Sequence, residues 1–348
     1  MKKLFTLYLF LMAISQLSAQ EDAPKSDSED KKKFSLSGSI DAYYRVNFNG
    51  PNKELEDGTI VAPGSSFANL PGFALGMANV IAAYEGEKVG FVADLVFGPR
   101  GTDAIFASPM YSATGDIVNQ LYAYWNVSDK VTLTFGNFNT FLGYEVISPV
   151  ANFNYSTSYL FSYGPFSHTG LKADFAFTDD FSLMLAVMNP TDLTEFNPTG
   201  KYAFGAQLGF KGQYLNFLTD DGAFEIDYTG GFDITNSVFL GINAAYYNND
   251  DFGFAGVALY PQFATSDNFT IGFRGEYFLE DGDFGAIGTG VEDSSVFAAT
   301  LTGSYTINSL IIKPELRLDS ASDDAFMDND LAPTKSLSSF LLAAIYAF

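Results

Sequence analysis

The 348-residue chain has no cysteine, one histidine and one tryptophan. Without cysteine there is no disulfide framework, no thiolate metal site and no thiol-borne lipid anchor. That absence suits export into an oxidising compartment. Basic residues are scarce: 18 Lys and Arg against 41 Asp and Glu leave a formal charge of −23. A nucleic-acid partner is not expected, because phosphate binding calls for a basic face. Charged residues make up only 17% of the chain, below the roughly 25% usual for soluble domains. Past the N-terminus there is no uninterrupted apolar run of the roughly 20 residues that a membrane helix needs. If the mature chain enters a bilayer, it must do so as a closed barrel that pairs every backbone N–H and C=O internally.

Phe, Tyr and Gly fill the space that charge vacates, with 36, 20 and 32 copies. The start reads as an export signal over residues 1–20. Lys2 and Lys3 precede the apolar run Leu4–Ile14, and Leu17-Ser-Ala-Gln20 supplies small residues for cleavage. Residues 21–33 are charged and carry no large apolar side chain, so they read as a flexible periplasmic linker. Residues 34–348 then form the expected barrel domain.

Period-two alternation begins at Phe34. Phe34, Leu36, Gly38, Ile40, Ala42, Tyr44, Val46 and Phe48 share one face. Ser35, Ser37, Ser39, Asp41, Tyr43, Arg45 and Asn47 share the other, since successive strand side chains point to opposite faces. The pattern recurs at 225–234, 269–279 and 297–307. Short turns at 85–88, 128–130, 178–180, 211–213, 235–237, 265–268 and 308–309 are assigned to the periplasm. Most of the connections between them are longer, near 49–72, 98–116, 138–167, 190–200, 281–294 and 319–336, with brief ones at 219–223 and 248–251. These are assigned to the outside. The expectation is an all-β, transmembrane, antiparallel up-and-down β-barrel of about 16 strands. Residues 72–85 alternate poorly, and Pro314 on an apolar strand face suggests a bulge. Tyr84, Trp125, Phe177, Phe210, Phe232, Phe263, Tyr305 and Phe348 fall at predicted periplasmic strand ends, as an interfacial girdle would. The chain ends in a strand with Phe340, Leu342, Ala344, Tyr346 and Phe348 on one face, resembling the C-terminal signal that barrel assembly machinery reads.

Residues 136–173 are the most distinctive stretch. Gly136-Asn-Phe-Asn-Thr-Phe-Leu-Gly-Tyr-Glu145 leads to Asn152-Phe-Asn-Tyr-Ser-Thr-Ser158 and then to Tyr163-Gly-Pro-Phe-Ser-His-Thr-Gly170. This resembles the OmpL-like, or porin-2, β-barrel porins across residues 34–348. The resemblance implies a channel-like barrel in the outer membrane of a Gram-negative bacterium. It implies no catalytic residue and no cofactor.

The connection 138–167 is long enough to be functional. It is expected to fold into the lumen as a constriction, with Glu145, Tyr155, Tyr159 and Tyr163 offered to solute; an extracellular cap is the bland alternative. Ser148-Pro149 could open a short helix there. Strand parity turns Asp41, Arg45, Lys172, Arg274, Glu276, Lys313, Glu315 and Arg317 inward, with Asp94, Asp174, Lys211, Glu225, Asp227 and Asp233. Such charges set ion selectivity in pores, or neutralise one another and stiffen the wall. Their mixed sign gives no strong preference. Asp319, Asp323, Asp324, Asp328 and Asp330 fall in one predicted outer loop; solvation explains them better than Ca²⁺, since no EF-hand spacing exists. His168 with nearby Ser156, Ser158, Ser162 and Ser167 leaves a barrel hydrolase as a remote reading, without a nucleophile motif.

The sequence is best read as a porin-like channel for passive diffusion of small hydrophilic solutes or ions, and not as an enzyme. A closed barrel serving adhesion or surface structure is the alternative. Expected partners are outer-membrane lipid and lipopolysaccharide, the assembly machinery through Phe348, small solutes, and further copies of the chain.

Overall fold

The computed structural model describes residues 33–105, 115–250 and 252–348. The expected export signal at 1–20 and the linker at 21–33, except Lys33, lie outside the described residues; Lys33 belongs to the first strand and not to the linker. Sixteen strands close into one antiparallel barrel. In chain order they are β1 (Lys33–Asn47), β2 (Gly72–Glu85), β3 (Val89–Phe97), β4 (Val118–Ser128), β5 (Val131–Asn139), β6 (Ser167–Ala176), β7 (Phe181–Met188) and β8 (Ala203–Phe210). The second half comprises β9 (Gln213–Asp220), β10 (Ala223–Thr235), β11 (Val238–Asn249), β12 (Phe252–Ser266), β13 (Phe269–Asp281), β14 (Ser295–Ile307), β15 (Leu310–Ala321) and β18 (Ser336–Ala347). A separate two-stranded ribbon, β16 (Phe326–Met327) with β17 (Pro333–Thr334), sits in the last long connection. Each barrel strand pairs with its sequence neighbours, and β18 closes the ring on β1. Gly38 and Phe348 exchange backbone hydrogen bonds of 3.1 and 3.0 Å at the end of that seam.

The two faces sort as the alternation demands. Phe34, Leu36, Phe273 and Phe297 are exposed on the outside, whereas Asp41, Arg45, Arg274 and Thr300 are buried within. In a bilayer, acyl chains cover the outer set, so its exposure to water has no cost there. Trp125, Phe177, Phe210, Phe232, Phe263, Tyr305 and Phe348 face outward at the short-turn end, forming the expected girdle.

One irregularity has a structural cause, and three local expectations need correcting. The poor alternation of β2 comes from a register shift opposite Ile40 and Ala42. Phe73 and Leu75 face out before it, and Val80 after it, so the bulge moves the outward set from odd to even positions. The Asp41 carboxylate takes the Met77 N–H at 3.0 Å in that bulge. At Pro314, by contrast, there is no bulge. The β14–β15 register is the same on both sides, with Thr302 opposite Glu315 and Tyr305 opposite Ile312; only ladder bonds are missing, and the ring faces Gly303. Ser148-Pro149 opens no helix; the short helix in that loop is Tyr159–Tyr163, whose first turn is capped by Ser158 Oγ accepting the Phe161 N–H. Asp319 is not an outer-loop residue: β15 runs on to Ala321, which turns Asp319 inward against Arg317 at 2.8 Å.

Candidate functional site

The connection between β5 and β6, residues 140–166, runs into the barrel. Its backbone is claimed by charged side chains that the strands project inward. Arg274 on β13 donates to Glu145 Oε1 at 2.7 Å, to the Ser156 carbonyl at 2.6 Å and to the Thr157 carbonyl at 3.1 Å. Glu276, one turn of the pleat away, accepts the Tyr159 and Leu160 N–H groups at 3.0 and 2.8 Å. Glu315 on β15 accepts the Tyr155 and Ser156 N–H groups at 2.9 and 3.2 Å, and also the Ser156 hydroxyl. Lys313 donates to the carbonyls of Pro149 and Asn152 at 2.8 and 2.5 Å. Arg317 donates to the Thr157 carbonyl at 2.7 Å and holds Asp319. Tyr155 donates its hydroxyl to Asp41 on β1.

The charged arc foreseen on β13, β15 and β1 therefore exists, but it grips the loop instead of standing bare in the bore. Arg274, Glu276 and Lys313 are fully buried. Burying ions is costly unless good geometry and further hydrogen bonds compensate. Here the loop's own amides and carbonyls supply them. Of the remaining candidates, Glu145 and Tyr155 belong to this grip, while Tyr159 packs against Phe278 with Arg317 over its ring. Tyr163 donates to the Ala286 carbonyl at 2.7 Å, tying the loop to the β13–β14 connection. Arg45 is buried, and its one side-chain hydrogen bond among the described residues goes to the Val61 carbonyl at 3.4 Å. Lys172 lies apart on β6, 3.4 Å from Asp174.

Three features of the site were not singled out from sequence. Arg100, in a short helix after β3, donates to the carbonyls of Ile147 and Tyr155 at 2.7 and 2.9 Å. Wall glycines Gly205, Gly241 and Gly272 receive Phe141, Tyr144 and Phe153 of the loop. A Cβ at any of the three would meet a ring atom or hydroxyl within 2.5 Å. Leu142 and Phe138 close the β7–β9 side with Met184, Met188 and Leu218. The only signal available for the glycines was their place on inward-facing strand positions.

The loop's exit is anchored by Asp192 in the β7–β8 connection, which accepts the Phe166 and Ser167 N–H groups at 2.7 and 2.8 Å. Burial pushes its carboxyl up to about 6, against those two bonds and with help from Asp220. A carboxyl raised in the folded state favours folding most at low pH, and that contribution is lost as pH rises towards about 6. Hydrogen-exchange protection of the Phe166 and Ser167 amides is thus expected to be higher at about pH 5 than at about pH 7.5; equal protection would refute the anchor's pH dependence.

His168 faces inward from β6, with Nε2 3.0 Å from Thr140 Oγ1 and its ring against Phe141. Ser156 and Ser158 are committed to Glu315 and Glu145, and Ser162 to the Ser65 carbonyl. Among the described residues no serine is hydrogen-bonded to the imidazole.

Solved structures share the architecture at low sequence identity. The outer membrane channel DcaP of Acinetobacter baumannii matches with a TM-score of 0.58 and 12% identity, over 95% of this chain and 100% of its own. An anion-selective porin from Comamonas acidovorans matches at 0.57 and 11%, over 91% and 100%. The trimer form of OmpT, an outer membrane protein of Vibrio cholerae, matches at 0.52 and 11%, over 92% and 100%. No curated protein sequence matches the chain. The family described as "Putative beta-barrel porin-2, OmpL-like" matches residues 33–348. With a closed sixteen-strand barrel, an apolar exterior and a polar interior, the chain belongs to the OmpL-like porin-2 family and is an outer-membrane barrel of the diffusion-channel type.

Proposed function

We propose that small hydrophilic solutes or ions diffuse passively through this barrel along a route set by loop 140–166, without any catalytic step. The observation that carries the reading is the loop itself. It lies inside a polar-walled barrel, bonded to β1, β10, β13, β14 and β15 through Asp41, Asp227, Glu276, Thr302 and Glu315. A sixteen-strand barrel is wide enough for a channel, and a loop held across it sets what passes. Lipid and lipopolysaccharide would surround the apolar band, and Phe348 would present the end of the last strand to the assembly machinery. Assembly with further copies is part of the same proposal.

The test is single-channel recording in planar bilayers with purified, folded protein. Discrete conductance steps are expected. A folded barrel that never conducts would favour the second reading, a closed surface module. That reading has its own support, because polar grip and apolar packing together seat the loop on most of the barrel's circumference.

A further inference from the structure

Charge is shared unequally around the bore. On the side of β13, β15, β18 and β1, the buried cations are Arg45, Arg100, Arg274, Lys313 and Arg317. The buried carboxylates there are Asp41, Glu145, Glu276, Glu280, Glu315 and Asp319. Five positive groups meet six negative ones; four of the five cations are also spent on loop carbonyls, and Glu280 accepts the Ile287 N–H at 2.7 Å. On the opposite side, Glu225 and Asp227 project from β10, with Asp220 at the end of β9 and Asp192 beside them. None of these four has an ion pair within 4 Å among the described residues.

Glu225 is the telling member. It is only 5% exposed, and no hydrogen bond among the described residues reaches its carboxylate. It lines a small cavity between loop and wall, bounded by Leu142, Gly143 and Gly164 on the loop and by Asp227 and Asn243 on the strands. The cavity measures about 10 Å³, which is room for about one water-sized particle. Asp227 lies two residues further down the strand, about 7 Å deeper. It is held by the Gly143 N–H and the amides of Asn216 and Asn243. A buried carboxylate with no partner carries a large desolvation cost, and a small cation seated beside it would offset that cost.

We propose that this seam between loop 140–166 and β10–β11 is a cation site on the permeation route, making the channel selective for small metal cations. The proposal rests on the channel reading above and adds the substrate class. Asp192 and Asp220 lie at the outer mouth, Glu225 below them and Asp227 deeper, so a cation meets carboxylates in succession. Among the described residues an anion finds no free positive group on that side: Lys201 and Lys211 are exposed and paired with Asp221 and Asp180.

The test is the reversal potential of the purified barrel in a KCl gradient. The wild type is expected to prefer K⁺ over Cl⁻ by about fivefold or more, in line with charge-lined pores. Glu225→Gln should lower that ratio at least about threefold, and Glu225→Lys should bring it towards or below one. The Glu225 side chain makes no hydrogen bond among the described residues, so Gln leaves the surrounding network intact; heat-modifiable gel migration checks that each variant is folded. Asp129→Asn, in an exposed periplasmic turn, should leave the ratio unchanged. Current with a K⁺/Cl⁻ ratio near one, or a ratio unmoved by Glu225→Gln and Glu225→Lys, overturns the cation site and leaves the channel standing. A folded barrel that passes no current overturns both.

Discussion

Arg274→Met is expected to raise single-channel conductance severalfold and to destabilise the folded barrel by about 3–5 kcal/mol, the range for breaking a buried pair from one side. The guanidinium is fully buried and ties together Glu145, two loop carbonyls and Thr300. Removing it leaves Glu145 as an uncompensated ion, held only by the Ser158 N–H and hydroxyl. Relief comes most simply by releasing the loop into water, which widens the bore. The companion change Glu145→Gln removes that charge. The double variant should therefore recover much of the stability, as coupled neighbours do. Urea midpoints in detergent and bilayer recordings check both halves. Unchanged conductance in a variant that has lost stability would mean that the loop is held by something else.

The second large effect is expected from a side chain with no charge. Gly272→Val places a Cβ 2.3 Å from Phe153 Cε1, and Gly241→Val places one 2.3 Å from the Tyr144 hydroxyl. Neither glycine has positive φ, so valine suits the strand backbone and its β-branched side chain suits the sheet. The cost falls on the loop, which must yield. Overpacking of this kind costs about 1–3 kcal/mol. The barrel should still fold and migrate as a compact species, with larger or flickering conductance. Phe153→Ala in the Gly272→Val background should restore the wild-type trace, because the clash is with that ring alone. If Gly272→Val conducts like the wild type, the glycine sockets do not seat the loop.

Much of the barrel was legible because its physics is local. Successive strand residues alternate between lipid and lumen, and tight turns demand Asp, Asn, Ser and Gly. Each of the seven short turns falls where it was read, from 85–88 to 308–309. The parity of Asp41, Arg45, Arg274, Glu276, Lys313, Glu315 and Arg317 followed from the same rule. What parity cannot give is the partner. Arg274 meets Glu145 across 129 residues of sequence, and Glu315 meets Tyr155 across 160. Those distances are fixed by barrel closure and by the path of one loop, which carry no periodic signature. Arg100 was missed because it stands alone in an irregular connection. The bulge in β2 was visible only as failed alternation. Glu225 read as one inward charge among many, since its isolation appears only once the hydrogen bonds of its buried neighbours are traced.

Loop 140–166 straddles the place where the two ends of the sheet meet. Tyr155 reaches Asp41 on β1 with its hydroxyl and Glu315 on β15 with its N–H, while β18 lies between those strands and ends in the Gly38–Phe348 clasp. Residues made midway through synthesis thus wait for the first strand and the last to come together around them. The cylinder is sewn shut over its own stopper, and a chain cut short of its final strand would have neither the stitch nor the seat.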